Sequence, residues 1–212
     1  MLTAVRVEAF DVNAALAELG LDLETLLEVA RAGVLAWAST TANDPPSFPG
    51  STQWARMVRD LRERLLPRGW TKSDESNYST VVDPTEGIAI AVSSGCANTG
   101  KPQFLPTTKS PKGPNTVAAV HANLAQFDLF ADAFPVPVPA GADGPVTWLL
   151  LFHRDREEVR LELSLPASMG DNGHIDGWKE RIVLPSIPLD PVLVPAVPDF
   201  GPDISVDIKR RA

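Results

Sequence analysis

The sequence predicts an α+β domain: a mainly antiparallel β-sheet covered by helices, with a proline-rich extended C-terminal tail. Three observations predict it. Residues 145–185 read as three successive strands joined by two polar turns. In the middle one, Val159, Leu161, Leu163 and Leu165 alternate with Arg160, Glu162 and Ser164, the period of a strand with one buried and one wet face. Apolar residues at three- and four-residue spacing mark helices before residue 66 and after residue 115. The 20 prolines cluster between these elements, the mark of long irregular connections rather than general disorder.

Taken in order, Val12 to Leu19 has helical character, with Asp11 as N-cap and Gly20 as breaker. Asp22 caps a second helix reaching about Ser39. Its buried stripe is Leu23, Leu26, Leu27, Ala30, Val34 and Trp37. Asn43-Asp44-Pro45-Pro46 and Pro49-Gly50 are loop signals. The clearest helix starts with Ser51 or Thr52 as cap and closes at Pro67. Trp54, Met57, Val58, Leu61 and Leu65 share one face, and arginines populate the others. Tyr78–Val82 and Gly87–Ser93 read as strands around Asp83-Pro84-Thr85-Glu86. The second is continuously apolar and so buried on both faces. Residues 95–114 form a long irregular loop, of the length that is usually functional or mobile. A helix runs from Asn115 to about Ala131, and residues 134–145 form a stiff polyproline-like linker. After Val146–Phe152, the turns Asp155-Arg156-Glu157 and Asp171-Asn172-Gly173 lead to the last strand, Lys179–Leu184. The tail, 185–212, is too rich in proline for a helix and is expected to lie extended over a surface. The chain divides into an N-terminal helical segment, 1–45, and an α+β domain, 46–212.

A formal net charge of −8 argues against wholesale nucleic-acid binding, which needs positive surface. The sign is uneven: residues 51–115 hold nine Lys/Arg against six Asp/Glu. The single cysteine, Cys96, excludes an intramolecular disulfide and a cysteine-rich zinc site. The first residues lack the pattern of a secretory leader. The longest apolar run, Val146–Phe152, is strand-length, so a cytoplasmic location with no membrane association is expected. No motif names a cofactor.

Residues 107–116 are the best functional candidate. Lys109, Lys112, Asn115 and Thr116 gather before a helix N-terminus, where backbone N–H groups attract phosphate and other anions. The order is not that of a Walker A loop, and a capped, exposed Pro-Lys loop explains the same residues. Arg56 and Arg59 are candidate nucleic-acid contacts, although neighbouring Asp60 and Glu63 fit ordinary surface ion pairing equally well. Glu157, Glu158 and Glu162 could hold a metal beside the sheet, against the plainer reading of a charged hairpin tip. The three histidines, His121, His153 and His174, have no metal-pair spacing.

The blocks GIAIAVSSG, TKSPKGPNTVAAV, WLLLFHRDREEVRLELSLP and GHIDGWKERIVLP resemble those of uncharacterised bacterial proteins associated with plasmids, prophages and other mobile elements. The resemblance covers about residues 70–212. It implies a role in element maintenance, defence or counter-defence, and it carries over no activity and no catalytic residue. The leading expectation is a non-enzymatic protein-binding or accessory protein, with a protein partner or self-association through the tail and the central loop. The alternatives are a metal-dependent enzyme acting on nucleic acid or a phosphorylated small molecule, and a DNA-binding protein.

Overall fold

The second helix shows how local sequence starts the fold. The Asp22 carboxylate accepts the Thr25 amide at 2.7 Å and opens α2 (Leu23–Ala38). Arg68 donates to the same carboxylate at 2.7 Å, which ties the helix start to the turn after the third helix. Burial pushes the Asp22 carboxyl up. The Thr25 amide and Arg68 outweigh it and hold the group below its ordinary value. Its stabilising contribution is therefore present above the unfolded carboxylate range and lost as pH falls through the folded value. Asp22→Ala should cost about 1 kcal/mol, the usual loss for a removed cap. Thermal melting at pH 7 checks this, and the difference from the native protein should shrink at acid pH.

In the computed structural model, which describes residues 3–128 and 144–189, four helices and seven strands build an α+β fold. Strand β1 (Ala4–Arg6) leads into α1 (Ala9–Glu18), α2 and α3 (Phe48–Leu65). Then come β2 (Thr71–Ser73), β3 (Thr80–Asp83), β4 (Ile88–Ser94), α4 (Pro114–Asp128), β5 (Val146–Arg154), β6 (Glu158–Met169) and β7 (Ile175–Pro188). The sheet order is β1-β7-β6-β5-β4-β3-β2. It is mixed, which corrects the expectation of a mainly antiparallel sheet. Strands β4 and β5 run parallel at its centre, with Ile88 opposite Val146 and Ser94 opposite Phe152, and β1 runs parallel to β7. A parallel pair needs a long crossover. The chain from 95 to 145 supplies it, with α4 in its path.

Helix starts differ from expectation. Helix α1 begins at Ala9, with Asp11 inside its first turn, and α3 begins at Phe48, with Ser47 rather than Ser51 or Thr52 before it. Proline at the second helical position explains the earlier start of α3, because the first turn has no use for that N–H. Strand β7 runs through Pro188, so residues 185–188 belong to the sheet. Leu189 follows, its amide on Glu157 O at 2.7 Å, and the expected tail from residue 190 lies outside the described residues, as does the linker up to residue 143.

The sheet is covered on both faces. Helices α1–α3 pack Leu16, Leu26, Met57, Leu61 and Leu65 against Ile90, Trp148, Leu150, Leu161 and Ile182. The alternate residues, Ala91, Leu149 and Leu151, face the opposite way, against Val120 of α4 and Trp178. Asn123 latches α4 to the start of β5. Its amide donates to the Thr147 carbonyl at 2.9 Å, and its carbonyl accepts the Thr147 N–H at 2.8 Å. A helix side chain thus takes the hydrogen-bonding place of a strand neighbour. Among the described residues no helix is long and apolar enough to cross a membrane.

Candidate functional site

The second face of the sheet carries charge that is not wet. Glu162 and Ser164 are 0% exposed and Arg181 is 1% exposed. Residues 95–113 lie across them as a strap. The Arg181 guanidinium donates to Glu162 Oε2 at 2.6 Å, to Glu162 Oε1 at 3.2 Å, and to the strap carbonyls of Phe104 and Lys101 at 3.0 and 3.2 Å. Glu162 also accepts the Ser164 hydroxyl at 2.8 Å and the Gly100 amide at 3.0 Å. Gly100 has φ +73°, and a Cβ there would sit 2.7 Å from the Cβ of Arg160, so only glycine lets the strap approach β6 this closely. Arg160 donates to Thr99 O at 3.0 Å and pairs with Asp155 and Glu158.

Two histidines serve the same strap. His153 Nδ1 lies 3.2 Å from Gly95 O, and His174 Nδ1 lies 2.6 Å from Thr108 O. A carbonyl only accepts, so both Nδ1 atoms carry the proton. Trp178 Nε1 donates to Pro106 O at 2.8 Å. The strap is therefore an ordered layer, held at both ends and in the middle.

These partners settle the geometry of the carboxylates. Glu162 is committed to Arg181, Ser164 and Gly100, Glu158 pairs with Arg160, and Glu157 is exposed at the hairpin turn. The structure does not bring the three together. Among the described residues no group of three or more His, Cys, Asp or Glu stands close enough to hold a metal.

Arg56 and Arg59 lie on the exposed side of α3, beside a groove of about 750 Å³ between α2 and α3. The charges there are already matched. Arg59 meets Glu63 at 2.7 Å, Arg64 meets Asp60 at 2.7 Å, and Arg56 approaches Asp60 at 4.0 Å. Such pairs leave little free field for phosphate, so the larger groove is the weaker candidate.

A smaller cavity, of about 240 Å³, is chemically different. Strand β3 stops opposite Ala91, while β4 continues through Ser94. In the gap this leaves, Trp54 donates its indole N–H to Val92 O at 3.0 Å. Trp54 is thus 40% exposed at the cavity and is not part of the helix's buried stripe. Tyr78 enters from the turn before β3, where Ser76 and Asn77 both have positive φ, 51° and 61°. Each costs about 1 kcal/mol or more for a residue with a Cβ. Asn115 donates to Ser76 O at 2.7 Å and braces that turn.

Lys112 reaches into the cavity from the strap. Its backbone N–H is fixed on Gly173 O at 2.8 Å, at the Asn-Gly turn where Gly173 supplies φ +76°. Its ammonium donates to Ser93 Oγ at 2.7 Å. No carboxylate among the described residues pairs with it, and burial pushes it below the ordinary lysine value. Burial likewise pushes the Tyr78 phenol up, to about 12, against a smaller opposing effect of the Thr116 side chain. The phenol oxygen lies in the protein facing Thr116, with no hydrogen bond of good geometry.

Of the four residues expected to bind an anion, the structure brings Lys112 and Thr116 to this cavity. Lys109 keeps its side chain exposed, its amide bound to Ser94 O, and Asn115 is spent on Ser76. The helix start offers few donors: Pro114 has no N–H, and the Thr116 amide reaches Gly113 O at 3.1 Å. The attraction for an anion rests on the lysine, not on the helix end. Sequence reasoning missed Trp54, Tyr78 and Ser93. They come from three separate segments, and only the strained turn and the short β3 align them. Comparison with known proteins returns no matching family model, no matching curated protein and no matching solved structure.

Proposed function

We propose that the protein is a binding protein that recognises its ligand through an anionic group, phosphoryl or carboxylate, seated against Lys112. One observation carries the reading: a half-buried ammonium that, among the described residues, donates to a neutral hydroxyl, Ser93 Oγ, and pairs with no carboxylate. A buried charge without a counter-ion is costly, and an entering anion removes that cost. Thr116, Ser94 and Ser79 line the same cavity and add hydroxyl groups. The cavity size suits a small anionic group with the rest of the ligand lying outward over the exposed ring of Trp54. The likeness to mobile-element proteins supports an accessory role in element maintenance, defence or counter-defence, with that ligand as its signal or the handle of its partner.

Calorimetric titration with inorganic phosphate tests the reading. The native protein should bind one equivalent. Lys112→Met should lose at least tenfold in affinity, the scale of one charge-assisted contact. Equal heats for the two proteins would refute the assignment.

A further inference from the structure

The cavity holds more than a cation. Ser93 Oγ lies 2.7 Å from Lys112 Nζ, inside the range required between a nucleophile and its base. Ser93 is 7% exposed, and the part that remains open is toward the cavity. Tyr78 lines the same cavity, but its phenol oxygen is enclosed in the protein on the Thr116 side. A hydroxyl and an amine that pairs with no carboxylate among the described residues, at one small space, are the nucleophile and base of an acyl-transfer site.

We propose that Ser93 and Lys112 form a nucleophile–base pair that accepts an acyl group from an uncharged ester entering the cavity. The proposal rests on the cavity assigned above but not on an anion occupying it. In the resting arrangement the ammonium donates to Ser93 Oγ, and the hydroxyl leans toward Ser94 O at 3.4 Å. Once Nζ has lost one proton to solvent, the bond reverses and the hydroxyl donates to the amine. Burial without a counter-ion lowers the pH at which this happens.

The step then balances within the site. Lys112 takes the Ser93 proton, and Oγ forms a bond to the carbonyl carbon. The bond from carbon to the leaving alcohol breaks, and Lys112 returns the proton to that oxygen. Water repeats the sequence on the acyl-serine and frees the acid. Nothing is oxidised or reduced. A bound anion and this chemistry exclude each other, since the anion keeps Lys112 protonated.

The probe is p-nitrophenyl acetate with the full chain at pH 9, followed by p-nitrophenolate release and peptide mapping by mass spectrometry. The expected result is acetyl on Ser93, abolished in Ser93→Ala. Lys112→Met should slow it about 100-fold, the lower end of general-base effects. Lys112→Arg should not rescue it, because guanidinium does not deprotonate. Inorganic phosphate should protect Ser93, whereas failure of the phosphate titration alone would count against the binding reading only. A second variant guards against misfolding: in Ser93→Cys the thiol should react with iodoacetamide at lower pH than in Ser93→Cys, Lys112→Met. Acetyl on surface lysines but not on Ser93, or Ser93 acetylation unchanged by Lys112→Met, would overturn the proposal.

Discussion

Arg181→Met should destabilise the protein by about 3–5 kcal/mol, the usual cost of removing one partner from a buried ion pair. The substitution keeps most of the side-chain volume but leaves the Glu162 carboxylate enclosed with two neutral donors, Ser164 Oγ and the Gly100 amide. It also orphans the Phe104 and Lys101 carbonyls of the strap. For a chain of this length each kcal/mol moves the melting temperature by about 2–4 °C, so a fall of roughly 10 °C is expected. Glu162→Gln added to Arg181→Met should recover part of it, because the amide oxygen still accepts from Gly100 while the stranded charge is gone. The strap should loosen before the sheet does. Tryptic cleavage after Lys109 should therefore accelerate in Arg181→Met under conditions where the sheet remains folded. Unchanged melting and unchanged cleavage would show that the strap is held by other contacts.

Lys112→Met should have two opposite effects. It should remove phosphate binding, and it should stabilise the ligand-free protein at pH 7. The sign follows from linkage. The folded-state value of Lys112 lies below its unfolded value, so the unfolded chain binds more protons between the two and native stability rises with pH across that window. At neutral pH the native protein bears the full cost of the buried ammonium. The advantage of methionine should be greatest there and fade as pH rises through the lysine range, once both states are neutral. Denaturant unfolding of the two proteins at pH 7 and pH 10.5 measures it. Adding phosphate at pH 7 should reverse the order, raising the midpoint of the native protein alone. A Lys112→Met protein that is less stable than the native one at pH 7 without phosphate would mean that the Ser93 contact outweighs desolvation.

Much of the fold is legible in local sequence. The hairpins β5–β6–β7 announce themselves through period-two alternation and an Asn-Gly turn, and Asp22 performs the capping its position implies. What is not legible is non-local. Nothing in GIAIAVS or VTWLLLF states that these two strands meet in parallel, and β1 is three residues long. The alternation in β6 also misleads. Arg160, Glu162 and Ser164 occupy the positions of a solvent face, but here the strap covers that face, with its carbonyls and the Gly100 amide as partners. Polar residues at alternate positions mean only that hydrogen-bond partners are needed, and those partners need not be water. The candidate site shows the same division. Lys112 and Thr116 stand out in the 107–116 segment. Ser93 looks like one of two serines at a strand end until β3 stops short beside it.

The charge state of Lys112 is the centre of the account, and its side-chain nitrogen resonance is the direct measurement. Nitrogen-detected NMR of lysine-labelled protein, titrated over pH with and without inorganic phosphate, should show one lysine that titrates below the ordinary lysine value. That signal should vanish in Lys112→Met, and phosphate should move its titration back up. A Lys112 that titrates with the surface lysines and ignores phosphate would contradict both the anion pocket and the serine–lysine pair.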